Sequence, residues 1–125
     1  MARRRGLTAF TPEEFEASPF TDAGRFDSLL MAHVAEHMTE GEVVTLVRRY
    51  RHLVRDGGRV VFITPQELGF RSEPTHVQFM NFEVLRRIGR ESGLAPGTEF
   101  SFPFPRAFGP IFKYNEFVST HRQQP

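Results

Sequence analysis

Two histidines and a glutamate lie within five positions, in the segment His33-Val34-Ala35-Glu36-His37. Imidazole is the side chain best suited to moving protons near neutral pH, because its unperturbed pKa is about 6.5. A positioned general base contributes about 10²–10⁴ in rate when an acceptor must lose a proton. The residue types and their spacing therefore predict His33, Glu36 and His37 as candidate catalytic residues.

The same residues allow simpler interpretations. A histidine at the end of a strand can hydrogen-bond a loop carbonyl and do nothing more. A carboxylate such as Glu36, just ahead of a helix, can serve only to stabilise the positive end of the helix dipole, which is worth about 0.3–1 kcal/mol. Both alternatives stay open for each residue taken singly, and the clustering of His33, Glu36 and His37 favours a functional role.

The string His33-x-x-Glu36-His37 also matches the H-x-x-E-H motif of metalloproteases, in which a helix places both histidines on one face. Here the string follows strand-like sequence, and the next helix begins only after Thr39. On an extended or turning segment this ligand geometry fails, and no third ligand is evident. The sequence therefore predicts no metal site, and zinc hydrolysis is the less favoured alternative.

The elements that position these residues are predicted to be a strand, a helix and a second strand. Phe26–Val34 is an apolar run typical of a buried strand, and Arg59–Thr64, stopped by Pro65, is another. Between them, a Thr39–Glu42 capping box starts an amphipathic helix that Asp56-Gly57-Gly58 is expected to close. Its apolar face is Val43, Val44, Leu46, Val47, Tyr50, Leu53 and Val54. This order predicts a parallel βαβ unit with its site at the carboxyl ends of the strands.

Shorter signals mark the segments before this unit and directly after it. Leu7–Phe10 is a strand candidate, and the capping box of Thr11 and Glu14 predicts a turn or short helix through Phe15. Residues 66–76 have mixed polarity and are predicted to be an exposed loop or lid over the site.

The last third of the chain is predicted to contain a helix and then a hairpin. Asn81 is a good N-cap for a helix that ends at Ser92-Gly93. Beyond it, the alternating Phe100, Phe102 and Phe104 and the segment Phe112–Val118 predict two antiparallel strands. This aromatic stripe could line an acceptor pocket together with Tyr114, but buried core is the commoner role for such residues.

Length and composition limit the classes of function. The chain has 125 residues, a net charge of +1 and no cysteine. These values predict one soluble domain in a reducing, cytoplasmic setting, with no disulfide or thiolate metal site and no field that would attract nucleic acid. No apolar run approaches the about 20 residues that a membrane span needs, so no membrane partner is expected.

Several of these segments, in this order, resemble the second half of class I S-adenosylmethionine-dependent methyltransferases. They are Phe26-Asp27 opening an apolar strand, His33–His37, the amphipathic helix, Asp56–Val61 and the histidine-bearing Thr75–Phe79. The resemblance runs from about Gly6 to the end. It implies an α/β fold: a partial Rossmann-like methyltransferase sheet with a parallel βαβ core and a C-terminal antiparallel hairpin.

The chain departs from that family at its beginning. It has neither the glycine-rich turn after the family's first strand nor the acidic residue that ends the second. On the resemblance, Leu7–Phe10 corresponds to the third strand. Residues 1–125 are therefore expected to form a single truncated methyltransferase-like domain.

The resemblance also implies roles for individual residues. Phe10 and Thr11 would contact the adenine of S-adenosylmethionine, while Ala32 and His33 would lie beside the cofactor near its reactive methyl group. His33, Glu36 and His37 would bind or deprotonate the acceptor. The acceptor site would also include Gln66, His76 and Tyr114.

Two functions from different classes follow as expectations. The first is S-adenosylmethionine-dependent methyl transfer to an unidentified small-molecule acceptor. The second is non-catalytic, a methyltransferase remnant or half-domain that associates with a partner chain. Because the predicted strand Phe26–Val34 would lie at or near an exposed sheet edge, we expect the chain alone to be weakly stable, to self-associate and to bind S-adenosylmethionine weakly or not at all.

Overall fold

The computed structural model describes residues 5–125, so the first four residues of the predicted domain lie outside it. Within this range the helices are α1 (Pro12–Glu16), α2 (Glu40–Tyr50), α3 (Glu67–Arg71) and α4 (Phe82–Glu91). The strands are β1 (Phe26–Ala32), β2 (Val54–Pro65), β3 (Ala95–Phe102) and β4 (Glu116–Arg122).

These four strands form one mixed sheet in the order β1-β2-β4-β3. β1 and β2 run parallel, with α2 as the crossover, while β4 runs antiparallel to both β2 and β3. The predicted α/β class, with a parallel βαβ core and an antiparallel C-terminal hairpin, is confirmed. Because the carboxyl ends of β1 and β2 lie at the same edge of the sheet, the segments that follow them are neighbours.

The helix starts agree with the capping signals in the sequence. Thr11 and Thr39 each accept a hydrogen bond from the backbone N–H three residues on, and the glutamates there, Glu14 and Glu42, accept from the threonine N–H in return. Asn81 caps α4 by accepting from the Val84 N–H at 3.0 Å. Each such cap is worth about 1 kcal/mol.

One hydrophobic core joins α2 and α4 to one face of the sheet. On β2, the side chains of Val60, Phe62 and Thr64 are fully buried, whereas the intervening Val61 and Ile63 are partly exposed. The large buried side chains in the same core come from α2, α4, the residue Met80 before α4, and β4: Val43, Val47, Met80, Leu85, Ile88 and Phe117. The opposite face of the sheet is only partly covered.

The prediction that the strands are buried on both faces is therefore wrong. β1 is one of the two edge strands of this sheet, only Met31 in it is buried, and Leu30 is 59% exposed. The prediction that Phe100, Phe102 and Phe104 are core is wrong for the same reason, since they are 44–57% exposed. In β3 it is the alternate residues that turn towards α4, where Glu99 binds the guanidinium of Arg86. The alternation of aromatic with other residues shows that a strand has two different faces. It does not show which of the two faces a helix covers.

The Asp56-Gly57-Gly58 turn lies inside β2, so its predicted role as a helix cap is wrong. α2 ends at Tyr50, the 3₁₀ turn Arg51–Leu53 follows, and Val54 already belongs to β2. β1 pairs Phe26 with Val54 and then Ser28 with Arg59, so Arg55–Gly58 form a bulge. Gly57 has φ 77°, and a Cβ on Gly58 would lie 2.6 Å from the Asp27 carbonyl oxygen. Glycine permits both a helix cap and a bulge, and here it serves the bulge.

Two flanking predictions are also corrected. Leu7–Phe10 is not a strand in the structure, and the Phe10 ring packs against Phe15 and Phe20, at centroid distances of 6.3 and 5.9 Å. Residues 66–76 are not all loop, because they contain α3. None of the helices in residues 5–125 is long and apolar enough to cross a membrane.

His121 on β4 gives the fold a specific dependence on pH. It is 4% exposed beneath α4, where a Cβ on Gly89 would lie 2.4 Å from its ring. Burial lowers the pKa of His121, and the nearby Glu99 carboxylate opposes this only in part. In the unfolded state the histidine pKa is about 6.5, so the unfolded state takes up the proton first as the pH falls. Protonation therefore favours unfolding.

We expect the free energy of unfolding, measured by urea titration, to decrease between about pH 7.5 and 5.5, and the decrease to be smaller in His121→Gln. Exposed His52 supplies the matched control variant, His52→Gln. Equal pH slopes for His121→Gln and the unaltered protein would contradict the assignment.

Candidate functional site

The candidate site begins where β1 leaves the sheet. β1 ends at Ala32, and the His33 N–H still donates to the Ile63 carbonyl at 2.9 Å. His33 has φ 57°, a left-handed conformation that few residues other than glycine adopt. This reversal directs the chain into the 3₁₀ turn Ala35–His37. It places the side chains of His33, Glu36 and His37 together at the carboxyl end of the parallel strands.

The Glu36 carboxylate is fully buried. Among the residues that the structure describes, none donates a hydrogen bond to either of its oxygens. Three imidazoles surround it: Nδ1 of His33 lies 3.3 Å from Oε2, and Nε2 of His37 and Nε2 of His76 each lie 4.0 Å from it. A buried carboxylate is costly unless positive charge or hydrogen bonds compensate for it. The groups able to do so here are these imidazoles or a cation held among them.

Backbone hydrogen bonds bring His76 to this position from a distant part of the chain. The Glu36 carbonyl accepts from the Val77 N–H at 2.7 Å, which ties the segment before α4 to the 3₁₀ turn. The His76 ring stacks on Phe70 of α3 with a centroid distance of 5.3 Å. Together these contacts hold the imidazole of His76 beside Glu36 and within 4.9 Å of the His37 ring centroid.

His33 lies between two carboxylates. Its Nδ1 faces Glu36, and its Nε2 contacts the Glu116 carboxylate at the start of β4. A neutral imidazole can donate to only one of them, whereas an imidazolium can donate to both. The side chain of His33 is 53% exposed, so proton exchange with solvent or with a bound acceptor is open to it.

His33 also lines a cavity of about 250 Å³. Tyr114, predicted to contact the acceptor, lines the same cavity, and so do Glu116 and Lys113. Sequence reasoning missed Glu116 because its approach to His33 depends on the antiparallel register of β2 and β4, in which Glu116 pairs with Pro65. The hairpin was predicted from the sequence, but its register was not.

Gln66 does not lie where the sequence predicted it. It is fully buried, and its amide donates to Ser101 Oγ at 2.7 Å and accepts from Asn115 Nδ2 at 2.9 Å. The expectation that Gln66 lies in an exposed loop over the site is wrong, because this network joins β2 to the hairpin. His76 is largely buried as well, with 9% of its side chain exposed.

The four predicted cofactor-binding residues lie in two places along β1. Phe10 and Thr11 line a cavity of about 440 Å³ beside β1, whose walls include Leu29, Leu30 and Tyr50. Ala32 and His33 lie further along the same strand, at its end, and are absent from that lining. The rings of Phe10 and Tyr50 give this cavity an apolar, aromatic wall.

Comparisons with known proteins identify the fold. No family model and no curated protein sequence matches the chain. A solved S-adenosylmethionine-dependent methyltransferase from Archaeoglobus fulgidus aligns with 94% of this chain and 66% of its own, with a TM-score of 0.66 and 13% identity. Burkholderia thailandensis 1,6-didemethyltoxoflavin-N1-methyltransferase, solved with S-adenosylhomocysteine, aligns with 87% of this chain and 50% of its own (TM-score 0.60, 18% identity).

The N-methyltransferase NodS from Bradyrhizobium japonicum aligns with 86% of this chain and 56% of its own, with a TM-score of 0.56 and 15% identity. At these identities the likeness concerns the fold. The chain spans between half and two thirds of these three structures, and it has the fold of part of a class I methyltransferase domain. The resemblance stated from the sequence is confirmed at this level.

The backbone of His33 gives a prediction about stability. A left-handed conformation costs about 1–2 kcal/mol for residues other than glycine. We expect His33→Gly to have a larger free energy of unfolding than His33→Ala, by about 1 kcal/mol, because both lose the ring contacts but only glycine relieves the strain. Urea titration of the two variants measures this difference. Equal stability of His33→Gly and His33→Ala would show that the position carries no strain.

Proposed function

We propose that this chain contributes to a methyltransferase that moves the methyl group of S-adenosylmethionine to a small-molecule acceptor. The observation that carries the proposal is the position of His33, Glu36 and His37 in a methyltransferase-like sheet. They lie at the carboxyl end of parallel strands, where open α/β sheets bind their ligands.

When bound, S-adenosylmethionine would supply an electrophilic methyl group. Transfer of that group to the acceptor would leave S-adenosylhomocysteine as the second product. Alignment of the reacting atoms can lower the activation barrier by about 7–11 kcal/mol, which is more than a general base contributes. The protein's own part in the proton transfer falls to His33, whose ring receives the acceptor's proton while the Glu36 and Glu116 carboxylates hold the resulting imidazolium.

The two cavities support separate parts of this proposal. The cavity walled by Phe10 and Tyr50 suits a flat aromatic group such as adenine, and Thr11 also lines it. The cavity beside His33 contains Tyr114, which supports the acceptor role proposed for that residue. The proposal assigns Gln66 no role in acceptor binding, because its amide is buried in the network with Ser101 and Asn115.

Binding and turnover test the proposal directly. We expect weak calorimetric binding of S-adenosylmethionine and release of S-adenosylhomocysteine with a panel of small phenols, amines and heteroaromatic amines. His33→Ala should lower this turnover by about 10²-fold or more, the contribution of a general base, whereas His52→Ala on the exposed side of the domain should change it little. Equal effects of the two substitutions, or neither binding nor release at about millimolar cofactor, would contradict the proposal.

A second, non-catalytic function is favoured by the exposed edge of the sheet. Within residues 5–125, β1 pairs only with β2, and its outer edge carries the exposed Leu30. Free strand edges pair readily with other chains. In this alternative, β1 is a docking edge for a second copy or a partner chain, and the cavity beside Leu30 is filled by that association.

Sedimentation velocity tests whether β1 is a docking edge. We expect the protein to self-associate at about micromolar to millimolar concentration, and Leu30→Lys to shift it towards monomer, because a charge on an edge strand opposes pairing. Ile111 is 71% exposed and lies in the β3–β4 connection, so Ile111→Lys is the matched control. A monomeric unaltered protein, or equal effects of the two lysines, would eliminate the docking edge.

A further inference from the structure

The geometry around Glu36 points to a metal site, and we propose that Glu36, His37 and His76 bind a divalent transition-metal ion of the zinc type. One carboxylate oxygen and two imidazole nitrogens, one from each of these residues, lie within 4.8 Å of one another. Two histidines and one carboxylate are a common protein ligand set for zinc and non-haem iron, with further positions open to water or a ligand. It shares Glu36 and His37 with the proposed methyl transfer, but its test measures metal binding and not turnover.

The distances fit coordination better than hydrogen bonding. Nε2 of His37 and Nε2 of His76 each lie 4.0 Å from Glu36 Oε2. A nitrogen–oxygen hydrogen bond spans about 2.7–3.2 Å, so these pairs are too far apart to be hydrogen-bonded. Metal–ligand bonds to nitrogen and oxygen are about 2.0–2.2 Å, and at the tetrahedral angle they hold two ligand atoms about 3.4 Å apart. Small side-chain movements would close the three atoms around the ion.

The protonation of the two rings leaves the facing nitrogens free to act as ligands. Nδ1 of His37 lies 3.2 Å from the Thr75 carbonyl oxygen, and Nδ1 of His76 lies 2.7 Å from the Phe70 carbonyl oxygen. A carbonyl only accepts, so Nδ1 carries the proton in both rings. In the neutral ring Nε2 then presents its lone pair to Glu36. Hydrogen bonds of this kind also fix ring orientation in known metal sites.

The burial of Glu36 is a second, independent observation. Its carboxylate is fully buried, and neither oxygen receives a hydrogen bond from the described residues. Two neutral imidazole lone pairs facing such a carboxylate leave a concentration of negative potential in the interior. A divalent cation bound among the three groups would neutralise this negative potential. The exposed fraction rises from Glu36 through His76 at 9% to His37 at 39%, so an ion would enter from the side of His37.

The donor set selects the class of ion. Two imidazole nitrogens suit zinc, iron, cobalt and nickel, whereas magnesium and calcium prefer sites built of oxygen. The full chain, stripped with chelator, should therefore bind zinc chloride in a one-to-one ratio by calorimetry and gain thermal stability from it. Magnesium chloride at the same concentration should do neither.

Substitutions separate this site from adventitious binding. His37→Ala removes a partly exposed ring and is expected to fold, and His76→Asn keeps a polar group at the more buried position. Each should weaken zinc binding at least tenfold, while His52→Ala, which removes an exposed histidine on the 3₁₀ turn after α2, should leave it unchanged. Circular dichroism confirms that the variants are folded.

The proposal is overturned if zinc does not bind to the unaltered chain. It is also overturned if zinc binds equally to His37→Ala and His52→Ala, because the metal would then be held elsewhere. Tighter binding of magnesium than of zinc would overturn the assigned ligand set. Failure of methyl transfer with zinc binding intact would leave the metal site standing and remove only the proposed catalytic function.

Discussion

The placement of a carboxylate in the interior at the end of β1 is the constraint on which the site depends. Glu36 is fully buried, and its compensation must come from His33, His37 and His76 or from a cation that they surround. The same residue is tied through its backbone carbonyl to Val77. The segment that carries His76 is therefore held against the turn that carries His37, although the two segments are far apart in the sequence.

The sheet leaves this turn at its edge and does not enclose it. α2 and α4 cover one face, β1 is an edge, and Leu30, Phe100 and Phe102 remain exposed. The aromatic cavity beside β1 and the polar turn at its end lie on the same strand. An occupant of the edge would therefore lie next to the candidate site.

Local signals in the sequence predicted local structure well. The capping boxes at Thr11 and Thr39, and the Asn81 N-cap, depend on residues three positions apart, so their physics is contained in a short window. The predicted βαβ order and the closing hairpin followed from apolar runs separated by turn residues. Gly57 and Gly58 were misassigned because glycine suits both a helix cap and a bulge, and only pairing with β1 selects the bulge.

The site was predicted in part, for a similar reason. His33, Glu36 and His37 are close in sequence and could be found by their spacing, whereas His76 joins them only through the Val77 hydrogen bond and the stacking on Phe70. Glu116 joins His33 through strand register. The amide of Gln66 was placed at the surface, because sequence pattern does not reveal that Ser101 and Asn115 complete its hydrogen bonds. Contacts between segments that are distant in the sequence are set by tertiary packing, so the sequence pattern did not predict them.

Nitrogen-15 NMR of the histidine rings tests the central claim most directly, because it reports the protonation and ligation of each ring nitrogen. In the protein titrated with one equivalent of zinc, we expect His37 and His76 to carry their proton on Nδ1 and to show large shifts at Nε2, while His52 is unchanged. Rings of His37 and His76 that stay unaffected by zinc, or that carry a proton on Nε2 in its presence, would contradict a cation held against the buried Glu36 carboxylate.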